Sequence, residues 1–169
     1  MLVMGRLFFG LIVVFIFFLF PLSLRAQTAS HLVISEVQVS GQKANDEFVE
    51  IYNPTNSPIV MNGWRLTKKI SSGTQSNLVS NLNGTVPAHG FFLITPQSDY
   101  DGVVAGDVQY SQTSNFVTSN NTVLLYSDAG VALVDKIGFG SAGDFESGAI
   151  PVPPDNQSVE RKPGGVSGS

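Results

Sequence analysis

The 169-residue chain contains no cysteine. That excludes disulfide staples, thiolate metal sites, redox pairs and cysteine nucleophiles. Histidine is scarce. Only His31 and His89 occur, and no spacing motif lets them share a zinc ion with a third ligand. Charged residues make up 13% of the chain. Behind residue 26 there are 7 Lys and Arg against 13 Asp and Glu. A protein relying on phosphate neutralisation needs the opposite balance, so nucleic acid is an improbable partner class. Also missing are helical windows, coiled-coil heptads and a second long apolar run after the first two dozen positions.

The apolar share of 43% is concentrated at the start, where 6 of the 12 Phe lie between Phe8 and Phe20. Arg6 precedes the run Leu7 to Phe20, broken only by Gly10, and a small residue, Ala26, follows Pro21 and Arg25. A charged start, an apolar middle and a small residue at a cut point have the form of a signal peptide over residues 1–26. The run is shorter than the roughly 20 residues needed to cross a bilayer as a helix. An uncleaved anchor is the alternative, and the one route by which this chain would touch a membrane. Either form places the remainder outside the cytoplasm: secreted, periplasmic or at the cell surface. Without disulfides, that remainder must hold itself together by its core alone.

From Gln27 onward Ser, Thr, Asn and Gly total 53 of 143 residues, too many turn-formers for a helical bundle. Apolar residues recur with period two. In Leu32–Val39, Val33, Val37 and Val39 share a face with Ser35. In Glu47–Tyr52, Val49 and Ile51 lie on one side and Phe48, Glu50 and Tyr52 on the other. Pro54 ends that strand. Ile59–Met61 leads to Asn62-Gly63, a strong hairpin signal, and Trp64–Thr67 resumes extended structure, with Trp64 as a core residue. Residues 70–84 read as a long loop or a weak hairpin, and 96–120 as polar and turn-rich. Phe91–Ile94 is a continuous apolar run, consistent with burial on both faces. Thr122–Tyr126 and Val131–Asp135 flank a four-residue hairpin loop whose Gly130 supplies a positive φ. Gly- and Pro-rich sequence follows Ser141, linker-like from Pro151, with one last short element at Gln157–Lys162. Some seven short strands without a helix predict an antiparallel β-sandwich. The expected organisation is a disordered start at 27–31, a sandwich over 32–162 and a Gly/Ser-rich flexible tail over 163–169.

These pieces, in order, resemble the lamin-tail domain family of the exported bacterial type. The residues that carry the resemblance are Val33-Ile34-Ser35-Glu36-Val37, Glu47–Pro54, Met61–Leu66, Pro87–Ile94, Val123–Gly130, Val134–Gly140 and Gln157–Arg161. The resemblance implies an immunoglobulin-like sandwich that binds or scaffolds without catalysis. It also implies an accessory domain, alone or beside a secreted nuclease or hydrolase. The filament role known in the family is not carried over, because heptads are lacking. The family usually continues past the Glu-Arg element into a final strand, whereas here Pro163–Ser169 follows, so an open edge or a longer parent protein is expected.

Candidate chemistry is thin. Glu36 and Glu50 lie inside apolar strands, where a carboxylate pair could serve as an acid–base couple or a calcium site. The structural alternative is that they pair with Arg65 or accept loop amides. Asp99, Asp101 and Asp107 form a loose acidic loop that would suit a calcium-stiffened adhesin, without the spacing of a twelve-residue EF-hand loop. Arg65, Lys68 and Lys69 are the only cluster of cations that could meet DNA. No Gly-x-Ser-x-Gly elbow occurs, and Gly138-Phe139-Gly140 is not followed by a helix. The expectation is a module with no catalytic residue, no cofactor and no metal, whose partner is a protein or surface polymer.

Overall fold

A computed structural model describes residues 29–111 and 116–162. The leader, positions 27 and 28 of the start, and the 163–169 tail lie outside the described residues. No helix occurs among those described. Within the described residues nine strands form two sheets: β1 (Val33–Gln38), β2 (Phe48–Tyr52), β3 (Ile59–Lys69), β4 (Gln75–Val86), β5 (Phe91–Pro96), β6 (Val108–Tyr110), β7 (Thr122–Ser127), β8 (Ala132–Gly138) and β9 (Ser158–Glu160). One sheet has the order β6-β5-β2-β1-β9 and the other β4-β3-β7-β8. Facing rows supply the core. Ile34, Val37, Val49, Ile51, Phe92 and Ile94 come from the first sheet, and Met61, Leu66, Leu82, Val123 and Leu125 from the second. This is the two-sheet sandwich that the period-two pattern predicts.

Bulges correct the pattern in β1 and along β3. In β1 the register with β2 shifts between Ile34 and Glu36. The extra residue turns Leu32 and Ile34 inward ahead of it and Val37 and Val39 behind it, while Val33 faces Tyr52 on the outside. The expected common face of Val33 with Val37 is therefore wrong. Asn62-Gly63 does not close a hairpin. It lies within the continuous strand β3, where Gly63 takes φ 70° and the register with β4 shifts between Met61 and Trp64. Glycine in the left-handed region makes a bulge as readily as a turn. The β3–β4 ladder shifts again at Trp64/Leu66 and Leu66/Thr67, so the long edge strand β4 is irregular, which discourages pairing with another chain.

The stretch 70–84 is the hairpin rather than the long loop: 70–74 make the turn after β3 and 75–84 belong to β4, whose Leu78, Leu82 and Val86 enter the core. The 96–120 stretch contributes β6, which pairs with β5 in parallel, so the sandwich is not antiparallel throughout. The run Phe91–Ile94 is not buried on both faces: Phe92 and Ile94 point inward, whereas Phe91 is 57% exposed. Trp64 packs partly buried against the core. The β7–β8 turn forms as expected, with Asp128, Ala129 and Gly130 all at positive φ.

The Pro-rich stretch after Ile150 is docked rather than linker-like. Ile150 bridges Phe139, the Asn156 N–H donates to the Ser40 carbonyl at 3.0 Å, and β9 pairs with β1. Asn53 closes the β2 end: its side chain donates to the Ser57 and Val86 carbonyls and accepts the Thr55 N–H at 3.0 Å.

Candidate functional site

Alternation along β2 sends Val49 and Ile51 into the core and leaves Phe48, Glu50 and Tyr52 on the outer face of the five-stranded sheet. The ladders then fix their neighbours. Glu36 stands opposite Glu50 on one side and opposite Glu160 on the other. Three glutamates thus lie in one row across β2, β1 and β9, at strand spacings of about 4.8 Å. Like charges directly opposite each other are destabilising. The partners present are hydroxyls. Ser35 donates to Glu50 at 2.6 Å, and Ser158 donates to Glu36. Burial pushes the Glu50 carboxyl above its ordinary value. The Ser35 hydrogen bond opposes this, and the charges of Glu36 and Glu160 add to it.

Aromatic rings flank the row on both sides of Glu50, along β2. Tyr52 and Phe91 are cross-strand partners with ring centroids 4.9 Å apart. Phe48 meets Tyr100 edge-on at 6.4 Å. Beside that second pair lies a shallow cleft of about 220 Å³ lined by Gln38, Asp46, Phe48, Tyr100, Asp101, Gly102 and Asn156. Asp46 is raised by burial and by the neighbouring Asp101 carboxyl, and its Oδ1 accepts the Asp101 N–H at 3.3 Å. Gly41 is required here, because a Cβ at that position would fall 1.9 Å from the Asp46 carboxylate. The Tyr100 phenol is raised by burial and then by Asp46, Asp101 and Glu36, so cleft and row share one negative field.

Elsewhere carboxylates meet cations. Asp135, 6% exposed, accepts the Ile34 N–H at 2.7 Å and pairs with Arg161 at 3.1 Å. Burial raises it, and Arg161 opposes that rise. Asp144 lies between Lys136 at 2.5 Å and Lys69 at 2.9 Å, which hold its carboxyl below the ordinary range. Glu47, fully buried, accepts the Tyr110 hydroxyl and, at 2.7 Å, the Val117 N–H.

Glu36 and Glu50 are therefore brought together as expected, with Glu160 as an unforeseen third member. Neither meets Arg65, whose guanidinium donates to the Gly130 carbonyl at 2.8 Å and lies over the Tyr126 ring. The three acidic loop residues do not converge. Asp107 accepts the Leu93 N–H, Asp99 pairs with Lys43 at 3.7 Å, and Asp101 lies by Asp46. Among the described residues no group of three or more His, Asp or Glu is placed to hold a metal ion. The cation cluster dissolves as well. Lys68 is buried on the Phe116 carbonyl at 2.8 Å, Lys69 is held by Asp144, and Arg65 is turned to the β7–β8 turn. His89 sits apart, with Nε2 2.9 Å from Asn56 Oδ1.

Glu47 escaped the sequence reading, although a signal existed: it shares the inward parity of Val49 and Ile51. Lys68 shares that of Leu66 in the same way.

A family model described as Lamin Tail Domain matches residues 25–141, more than two thirds of the chain. No curated protein matches it.

Proposed function

Because the chain belongs to the lamin tail domain family, we propose that it acts as an exported binding or scaffolding module without catalysis of its own. We propose further that it meets a positively charged partner, a protein or surface polymer, with the outer face of its five-stranded sheet. The observation that carries the second part is the row Glu50–Glu36–Glu160, which faces outward with hydroxyls for neighbours. Its aromatic borders suit the apolar stems and charged heads of Lys and Arg. Support for a non-catalytic role comes from the buried carboxylates, each engaged by donors of the chain itself: Glu47 by Tyr110 and Val117, Asp135 by Ile34 and Arg161. Support for export comes from the Leu7–Phe20 run behind Arg6.

Calorimetric titration with an oligolysine peptide at low ionic strength tests the docking face. Saturable binding should weaken tenfold or more in the variant Glu36→Gln, Glu50→Gln, Glu160→Gln. It should stay within about twofold in Asp128→Asn, Glu146→Gln, Asp155→Asn, which removes equal charge elsewhere. Equal losses in both variants, or no binding by the native chain, would refute the docking face. Export is tested by carrying the full chain ahead of a reporter enzyme that works only outside the cytoplasm. A silent reporter would overturn that part.

A further inference from the structure

At the seam of β2, β3 and β6 lies a carboxyl that the docking face does not use. Glu47 immediately precedes β2 and points inward, fully buried. The Tyr110 hydroxyl of β6 donates to its Oε1, and the Val117 N–H donates to its Oε2 at 2.7 Å. From β3, Lys68 donates to the neighbouring Phe116 carbonyl at 2.8 Å, with its ammonium 5.1 Å from the Phe116 ring centre. Phe116 and Val117 belong to no strand. Two ionisable side chains, one on each neighbouring residue, thus grip a backbone stretch that no ladder holds.

We propose that Glu47 is an acid-tightened fastener: holding its proton it pins Tyr110 and Val117 to the sandwich, and local opening of that seam is coupled to loss of the proton. The physical reason is desolvation. In the neutral acid the Glu47 O–H donates to the Tyr110 oxygen while Oε2 still accepts the Val117 N–H, whereas a carboxylate in the same place, accepting from both, is a buried anion. The charged and titratable groups facing it are Tyr110 from β6 and Lys68 from β3. Lys68 works against the effect, and its own ammonium is disfavoured by burial. Asp46, next in sequence, turns the other way toward Asp101. Burial pushes Glu47 from 4.5 up to about 8, against the Tyr110 and Val117 hydrogen bonds. The group's contribution is thus complete below 4.5, declines as the pH rises, and is gone above about 8. This does not rest on the docking face, which lies on the opposite side of the sheet.

Amide hydrogen exchange of Val117 in the full chain, corrected for the intrinsic rate, reads the opening directly. Its opening constant should rise steeply, approaching about tenfold per pH unit between pH 5 and 8, and then level off. In Glu47→Gln, which keeps an acceptor for the Val117 N–H, it should be flat. A flat native profile, or the same rise in the variant, would overturn the proposal. Should the variant not fold, the carbon-13 shift of the native Glu47 carboxyl decides. A midpoint near 8 supports the fastener, and one near 4.5 overturns it.

Discussion

Two sets of carboxylates in one sandwich have opposite surroundings. Along β8 and the Phe139–Glu146 turn, Asp135 and Asp144 each have cations at hydrogen-bond distance, and Asp135 also caps the β1 backbone. Across β2, β1 and β9, Glu50, Glu36 and Glu160 face one another with serine hydroxyls between them. Both regions hold carboxylates on or beside strands, and the difference that matters is what stands opposite them. Where a fold needs a charge, it surrounds that charge with donors. A row left with its repulsion is free to answer to something outside the chain, which is the physical basis for the proposed docking face.

The contrast can be broken most forcefully at Asp135. Asp135→Ala strands the buried Ile34 N–H and leaves Arg161 with the more exposed Glu146 as its one carboxylate partner among the described residues, so a loss of about 3 kcal/mol is expected. That corresponds to a fall in Tm of roughly 10 °C, measured by thermal unfolding at pH 7. Asp135→Asn keeps an acceptor for Ile34 and should lose less. Asp144→Asn removes two partly exposed ion pairs, and the expected loss is about 1 kcal/mol by urea titration. Its pH dependence sharpens the comparison. Asp144 is lowered in the folded state, so its contribution is present above 3.8 and disappears as the pH falls through its lower folded value. Glu50 is raised, so its contribution is present below 4.5 and lost as the pH rises through its folded value. Between pH 7 and pH 4 the deficit of Asp144→Asn should therefore persist. The difference made by Glu50→Gln should shrink toward zero. The smallest expected change is Glu36→Lys, which inserts a cation between two glutamates and should stabilise by about 0.5 kcal/mol at low salt, less at high salt.

Much of the fold was legible in the sequence because alternation survives wherever a strand is regular. Val49 and Ile51 against Phe48, Glu50 and Tyr52 read correctly residue by residue, as did the turn at Asp128–Gly130. The failures have a common physical origin. Bulges at Ser35 and Gly63 insert one residue and reverse the parity behind it, which a strict period of two cannot anticipate. The edge strand β4 is bonded on one side only, so its outward residues are Ser, Asn and Thr, and its inward leucines recur at every fourth position across the irregular ladder. β6 has three residues and takes its identity from β5. The acidic row was half visible. Glu36 and Glu50 could be singled out locally, but their facing each other and Glu160 depends on ladders between distant segments. Glu47 depends on Tyr110 and Val117, 63 and 70 residues away, and parity alone pointed to it.

If the outer row serves a partner and not the fold, the sandwich stands without its charges. The unfolding free energy of Glu36→Gln, Glu50→Gln, Glu160→Gln beside the native chain, by urea titration at pH 7 and low ionic strength, decides this. Removal of mutual repulsion, with acceptors kept for Ser35 and Ser158, predicts a variant at least as stable as the native chain. A loss of more than about 1 kcal/mol would place these glutamates with Asp135, as parts of the scaffold, and contradict the account.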